Sequence, residues 1–549
     1  MLVSADIENK TIGNKPLFAG LQLTIEDKEK VAIIGRNGVG KTTLFRVLTG
    51  EDADYAGTVT FRKGIRIAAT RQEHHGLGKQ TAIAYVLASL PEYTQLKHII
   101  DTYPAVMGSD MRKIATYSEA LERFTDMNYY TVEDRVTRSL EAYQLDPNAT
   151  MQSLSGGQKR FVELVIVEHS SAQLALIDEP TNHMDYVAKA AFINWFKNVR
   201  HAVVVITHDR DVLQHVDRII EIKDQTAVNF PGNYDAYLRE NAMRTTNNLN
   251  EFETAQRRIA NVKKQIQYAR SKKAMWGGTA DKKNPFVVME SRLLKELAEL
   301  EAMERPSFWI DQESVSDLRP SVEASYQKHK AKTIRIRRLA ADERRRDLVT
   351  LDNVQVGYDR PLFPSVSRRI QTGDRLRIVG RNGVGKTTLI RAIIDTSSGD
   401  KPATLLHGTI TTDTKLRINT YEQEMSDDLL DMTLTAAIEY LYDQYDVQLT
   451  SEQIMRTLSD YLFDPYGDRN HLVRDLSGGQ KARLQLIKMF ANDPNLLILD
   501  EPTNHLDLPS IEELEAALDY YKGALVYISH DSYLAKHLGG EELAITKLG

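Results

Sequence analysis

GRNGVGKTTL stands at residues 35–44 and again, letter for letter, at 380–389. Gly35 to Thr42 and Gly380 to Thr387 both satisfy G-x-x-x-x-G-K-[ST]. A short apolar run precedes each copy (VAII at 31–34, LRIV at 376–379), and a helix-forming run follows (TLFRVL, TLIRAI). Strand, glycine turn and helix start together make the setting a phosphate loop requires. The glycines let backbone N–H groups converge on phosphate oxygens, and the helix dipole adds positive potential there. Lys41 and Lys386 are placed to bridge β- and γ-phosphates, and Thr42 and Thr387 to hold Mg²⁺.

Working outward, the rest of each half repeats as well. LSGGQK occupies 154–159 and 476–481, and DEPTNH occupies 178–183 and 500–505. The LSGGQK leucine lies 24 positions before the DEPTNH aspartate in both halves, and that aspartate lies 30 before a histidine, His208 or His530. Fixed geometry used twice means a duplicated domain. DEP follows apolar runs (LALI at 174–177, LLIL at 496–499) that read as strands buried on both faces of a parallel sheet. Asp178 and Asp500 then emerge at strand ends beside the phosphate loop, fitted to coordinate Mg²⁺ through water. Glu179 and Glu501 are the candidate bases for an attacking water. His208 and His530 also end apolar runs, VVVIT and LVYIS, and are each followed by Asp. They can hydrogen-bond a γ-phosphate and register its loss.

Composition narrows the class. The chain has 549 residues, 42% hydrophobic and 27% charged, with net charge −6 and no cysteine. Disulfides, iron–sulfur clusters and cysteine-ligated zinc are excluded. No apolar stretch is long enough to span a bilayer. The start, MLVSADIENKTIG, has neither the basic nor the apolar region of a signal peptide, so a cytoplasmic protein is expected. The first repeat is expected over 1–240 and the second over 347–549. The first carries 83 positions from Gln72 to Ser155 against 54 from Gln423 to Ser477, which predicts an insertion or longer loop around 90–118. Between the repeats, 241–346 holds 23 Lys+Arg against 14 Asp+Glu, a local charge near +9. Helix-forming composition over 245–275 and 287–304, broken by Gly277-Gly278 and Asn284-Pro285, predicts two antiparallel helices joined by a basic tip near 271–286.

LSGGQ, the phosphate loop, DEP and the histidine together resemble the ATP-binding cassette ATPases, along nearly the full length of both halves. The resemblance implies an α/β fold: two P-loop cassettes, each a mixed sheet core with a helical subdomain, joined here by a helical hairpin. It also implies head-to-tail pairing of the cassettes around two ATP molecules, both hydrolysed. Site one then comprises Gly35, Arg36, Asn37, Gly38, Val39, Gly40, Lys41, Thr42, Thr43, Gln72, Asp178, Glu179 and His208, closed by Ser477, Gly478 and Gly479. Site two comprises Gly380, Arg381, Asn382, Gly383, Val384, Gly385, Lys386, Thr387, Thr388, Gln423, Asp500, Glu501 and His530, closed by Ser155, Gly156 and Gly157. Gln72 and Gln423 match the position that senses Mg²⁺ and water. Tyr358 matches the adenine-stacking aromatic, whereas the first copy has Ile12 at that place.

Two cassettes in one chain, a long basic linker and the sequence NFPGNYDAY at 229–237 resemble the ABC-F proteins. That resemblance implies a monomer acting on ribosomes from the tRNA exit site, with the linker directed at P-site tRNA and the peptidyl-transferase centre. The function expected is that of a translation regulator or an antibiotic-resistance (ribosome protection) factor. Arg270, Lys272, Lys273, Lys282 and Lys283, with Trp276, offer phosphate contacts and a stacking surface to rRNA and tRNA. Two other classes stay open on sequence grounds, a DNA-repair or branched-DNA ATPase and the ATPase subunit of a membrane transporter.

Overall fold

The structure is a computed structural model and describes residues 1–548 except 14, 71–78, 183, 276–284, 302–344, 400–401, 403, 422–424 and 505. Gln72, Gln423, Trp276, Lys282 and Lys283 therefore lie outside the described residues, as does the side chain of Lys273. The chain forms two compact units, Met1–Tyr234 with Ile334–Gly549, and Asp235–Thr333.

In the first unit the N-terminal half contributes strands β1 (Val3–Ile12), β2 (Lys15–Ile25), β3 (Lys30–Gly35), β4 (Ala56–Phe61), β5 (Ile67–Ala69), β6 (Leu174–Asp178), β7 (Ala202–Ile206), β8 (Arg218–Lys223) and β9 (Thr226–Pro231). They make an antiparallel sheet β2-β1-β4 and a sheet β5-β6-β7-β3-β8-β9, parallel except for β9 at its edge. The apolar runs LALI and AVVVI are wholly buried in β6 and β7, which is why they carry no period-two alternation. Each such side chain taken out of water contributes about 1.5–3 kcal/mol.

Helices of this half are α1 (Lys41–Thr49), α2 (Ala82–Ser89), α3 (Tyr93–Val106), α4 (Met111–Asp126), α5 (Val132–Ala142), α6 (Gly156–His169), α7 (Tyr186–Asn198) and α8 (Arg210–Leu213). The insertion expected around 90–118 is the helix pair α3–α4 rather than a loop. It is closed by Tyr93, Phe124 and Tyr129, whose ring centroids lie 5.4–6.0 Å apart. Only Tyr93, Leu96, Ala120 and Phe124 of these helices are buried, so their apolar periodicity is sparse, and Pro104 lies within α3.

The C-terminal half repeats the plan with β10 (Asp347–Val356), β11 (Val366–Gln371), β12 (Arg375–Val379), β13 (Leu405–Thr412), β14 (Ile418–Tyr421), β15 (Leu496–Asp500), β16 (Ala524–Ile528) and β17 (Glu541–Ala544). Its sheets are β11-β10-β13 and the all-parallel β14-β15-β16-β12-β17. Helices Lys386–Ser397, Gly478–Phe490 and Leu508–Tyr520 correspond to α1, α6 and α7.

The described residues of the second unit form a helical hairpin. Helix α9 (Tyr234–Met275) starts earlier than the composition suggested, since nothing after Gly232 breaks it, and α10 (Pro285–Glu301) returns. At 1.5 Å per residue, α9 is about 60 Å long. Val262, Ile266 and Leu293 form its buried seam with Leu297 against them. The ion pairs Arg258–Glu296 (2.7 Å) and Arg270–Glu290 (2.8 Å) flank that seam.

Candidate ATP sites

Each glycine-rich turn ends on a left-handed glycine that caps the following helix, Gly40 at φ 102° and Gly385 at φ 103°. A Cβ on Gly40 would fall 2.6 Å from Leu17 Cδ2, so both backbone and packing demand glycine. The buried Lys41 Nζ donates to the carbonyls of Gly35 (2.7 Å) and Arg36 (3.1 Å). Lys386 does the same to Gly380 (2.7 Å) and Arg381 (3.1 Å). Burial lowers the pKa of both lysines, opposed by Glu179, Asp507 and Asp178 around Lys41 and by Glu501, Asp185 and Asp500 around Lys386. Thr42 Oγ1 donates to Asp178 Oδ2 at 3.0 Å, and Thr387 Oγ1 to Asp500 Oδ2 at 2.7 Å. One hydroxyl and one carboxylate are hard oxygen donors suited to Mg²⁺, which completes its shell from water and phosphate.

Strand register sets the next pair of groups. Asp178 lies level with Ile206, and Asp500 with Ile528, so the residues after each strand meet. Glu179 and Glu501 take left-handed backbone conformations (φ 44° and 47°), which is strained for a non-glycine residue. Glu179 N–H donates to Ile206 O (2.8 Å) and Glu501 N–H to Ile528 O (2.9 Å), which hold the turns in place. The carboxylates thereby face the histidines: Glu179 Oε1 is 3.6 Å from His208 Nε2, and Glu501 Oε1 is 3.2 Å from His530 Nε2. Burial pushes the Glu179 carboxyl up to about 8, with Lys41 opposing, and that of Glu501 up to about 7. Burial also depresses His208 to about 3 and His530 to about 4, helped by Lys41 and Lys386 respectively. At neutral pH both imidazoles are uncharged. Neither ring nitrogen of the buried His208 has a hydrogen-bond partner among the described residues.

The two halves complete one another. Asn37 N–H, in the first phosphate loop, donates to Asp507 Oδ2 of the second half at 2.9 Å. Reciprocally, Asn382 N–H donates to Asp185 Oδ2 at 3.1 Å. Asp185 and Asp507 also cap the helices that follow them, through Ala188 N–H and Ser510 N–H. Ser155 and Ser477 head α6 and Gly478–Phe490 in capping boxes with Gln158 and Gln480, which satisfy N–H groups at these helix starts. A Cβ on Gly478 would lie 3.1 Å from Asn37 Cβ, so the LSGGQ turn of one half packs on the phosphate loop of the other. Arg381 reaches Gln144 Oε1 (3.4 Å) in the same way. A shared cavity of about 250 Å³ between the halves is lined by Glu179, His208, Glu501 and His530.

Tyr358 is 70% exposed, its ring open to a ligand, whereas Ile12 is an exposed end of β1. Arg270 shares its charge with Glu290, and Lys272 Nζ sits 5.8 Å from the Tyr268 ring. Asp185 and Asp507 were not singled out from the sequence. Their signal was present: both stand seven residues after the DEP aspartate, directly before a helix, where Asp is a favoured N-cap.

Comparison with known proteins adds a family to this geometry. A family model described as ABC transporter matches residues 18–182 and 363–504, more than half of the chain. The chain belongs to the ABC transporter family. A second model of the same description matches 220–316, across the hairpin. Among its relatives, ATP-binding protein YheS of Escherichia coli is 30% identical over 95% of this chain and 75% of that protein. ATP-binding protein Uup of the same species is 28% identical over 95% and 76%, and YdiF of Bacillus subtilis 27% over 100% and 80%. With both cassettes matched, this ABC protein is a twin-cassette ATPase. In fold it is similar to a solved RNase-L inhibitor (TM-score 0.55, 15% identity, 98% of this chain and 87% of that one). It is similar in the same measure to a model titled ribosome-bound archaeal Pelota and ABCE1 (TM-score 0.55, 16% identity, 99% and 78%). No helix among the described residues is long and apolar enough to cross a membrane.

Proposed function

We propose that this ATPase is a cytoplasmic translation factor that binds the ribosome in its ATP state and acts through its basic hairpin. The role is that of a translation regulator or ribosome protection factor, reaching from the tRNA exit site toward P-site tRNA and the peptidyl-transferase centre. The observation that carries the reading is the reciprocal contact of each phosphate loop with the opposite half, Asn37 to Asp507 and Asn382 to Asp185, in a chain whose 241–346 segment holds a charge near +9. A net-acidic protein that concentrates cations in the segment between its repeats offers its positive potential there, where phosphate backbones are bound.

In each site the phosphate-loop N–H groups and Lys41 or Lys386 take the phosphates, and Tyr358 stacks adenine in site two. Thr42 with Asp178, and Thr387 with Asp500, would hold Mg²⁺, whose charge offsets that of the phosphates. Glu179 and Glu501 accept a proton from the attacking water. Uncharged His208 and His530 each donate their one ring N–H toward the γ-phosphate, which gives that nitrogen of His208 an acceptor. The signature turns at Ser477, Gly478 and Gly479, and at Ser155, Gly156 and Gly157, seal the opposite face. Hydrolysis and phosphate release then open the cassettes and free the protein.

Deleting residues 265–290 tests the target. The account expects ATP hydrolysis in the absence of ribosomes to persist while affinity for ribosomes falls at least tenfold. Unchanged ribosome affinity refutes it, and filter binding to duplex DNA distinguishes the repair class.

A further inference from the structure

We propose that Lys189 is a positioning residue that ties the histidine turn of one ATP site to that of the other and makes the two sites unequal. It rests on the assignment of Glu179 and Glu501 as bases. Lys189 lies on α7, one turn after the capping Asp185, and is only 7% exposed. Its ammonium is 2.9 Å from Asp209 Oδ1 and 2.6 Å from Asp211 Oδ2, in the turn that follows His208 of site one. From there it donates to the backbone carbonyl of His530, in site two, at 3.3 Å. A second strut runs parallel to it, Ser532 Oγ donating to Asp211 Oδ1 at 2.6 Å.

The pseudo-twofold partner of Lys189 is not a cation. Four residues after Asp507 stands Ile511, buried and facing the same cavity. Tyr533 replaces Asp211 at the matching offset from the histidine, and Ser532 replaces Arg210. That side of the boundary is held by a buried pair, Arg210 Nη1 to Glu515 Oε1 at 3.0 Å, with the guanidinium 5.4 Å from the Tyr533 ring centroid. Duplication therefore produced two active-site halves with matching catalytic groups and different supports. Lys189, which lines the shared cavity, contacts both histidine turns. Its charge beside His530 also helps keep that imidazole neutral. A shift of His530 on phosphate loss pulls its carbonyl, and through Lys189 the Asp209 turn of site one.

The test is steady-state phosphate release by purified full-length protein without ribosomes. E501Q leaves site one active and E179Q leaves site two active. Lys189→Met is placed in each background and in the wild type. The expected result is a kcat loss on the order of tenfold in the E179Q background, with KM for ATP unchanged and a smaller loss in the E501Q background. In the wild type the Hill coefficient for ATP falls toward one, and Lys189→Arg restores both. Equal losses in the two backgrounds, or a loss confined to KM, overturn the proposal. Should Lys189→Met fold poorly by thermal melting, Asp211→Asn, which removes one acceptor on the exposed side, must show the same inequality in milder form, and its absence overturns the proposal too. Single glutamine variants that keep full wild-type rates would sink the base assignment and this proposal with it, leaving the ribosome reading to its own experiment.

Discussion

Glu179 and Glu501 are held in an unfavourable backbone conformation and in surroundings that disfavour their charge, and both costs fall on the groups assigned to take a proton. The charged groups acting on Glu179 include Lys41, Asp178, Asp209 and Arg160, and those acting on Glu501 include Lys386, Asp500 and Asp531. A carboxyl raised to about 8 is protonated below that pH and serves as a base only above it. Hydrolysis by E501Q, where Glu179 alone works, is therefore expected to rise with pH around a midpoint near 8, falling about tenfold per unit below it. In E179Q the midpoint moves to near 7. The histidines, depressed to about 3 and 4, stay neutral across this range and add no opposing limb. Phosphate release from pH 6 to 9 checks this, and a flat or falling profile contradicts it. At this scale the sequence was most readable, because chemistry at a phosphate fixes residue types at fixed spacing. The left-handed turns at the glutamates were not readable, since nothing in the letters DEP marks a positive φ.

Among the described residues, the α9–α10 hairpin is held by a small apolar cluster of Val262, Ile266 and Leu293 with Leu297 against them. Val262 is fully buried there. Replacing it with Asp leaves an unpaired charge in that seam and is expected to destabilise the hairpin by about 3 kcal/mol. Limited proteolysis should then cut within 241–301 far faster, while ribosome-free ATP hydrolysis stays within about twofold of wild type. Equal protease resistance would show that the seam does not hold the hairpin. Both helices were legible from composition. The pair α3–α4 was not, because four buried residues spread over two helices leave too weak a periodicity to separate them from a loop. Asp185 and Asp507 were missed for a different reason: their second role, accepting from the opposite phosphate loop, exists only once both halves are folded against each other.

For the whole molecule, duplication explains the pairing. Each half carries a phosphate loop that needs a lid and a signature turn that can serve as one, and head-to-tail contact satisfies both at once. Spacing alone revealed the repeat, but the inequality of its two supports, Lys189 against Arg210–Glu515, appears only when side chains from both halves are seen together. Under the proposed function, ATP held in both sites favours the ribosome-bound form and hydrolysis ends it. The direct measurement is co-sedimentation of the E179Q/E501Q double variant with purified ribosomes, with and without ATP and Mg²⁺. ATP is expected to retain the variant in the ribosome pellet at concentrations where the nucleotide-free protein stays in the supernatant. Equal distribution in both conditions, in a variant that still binds ATP, would contradict it.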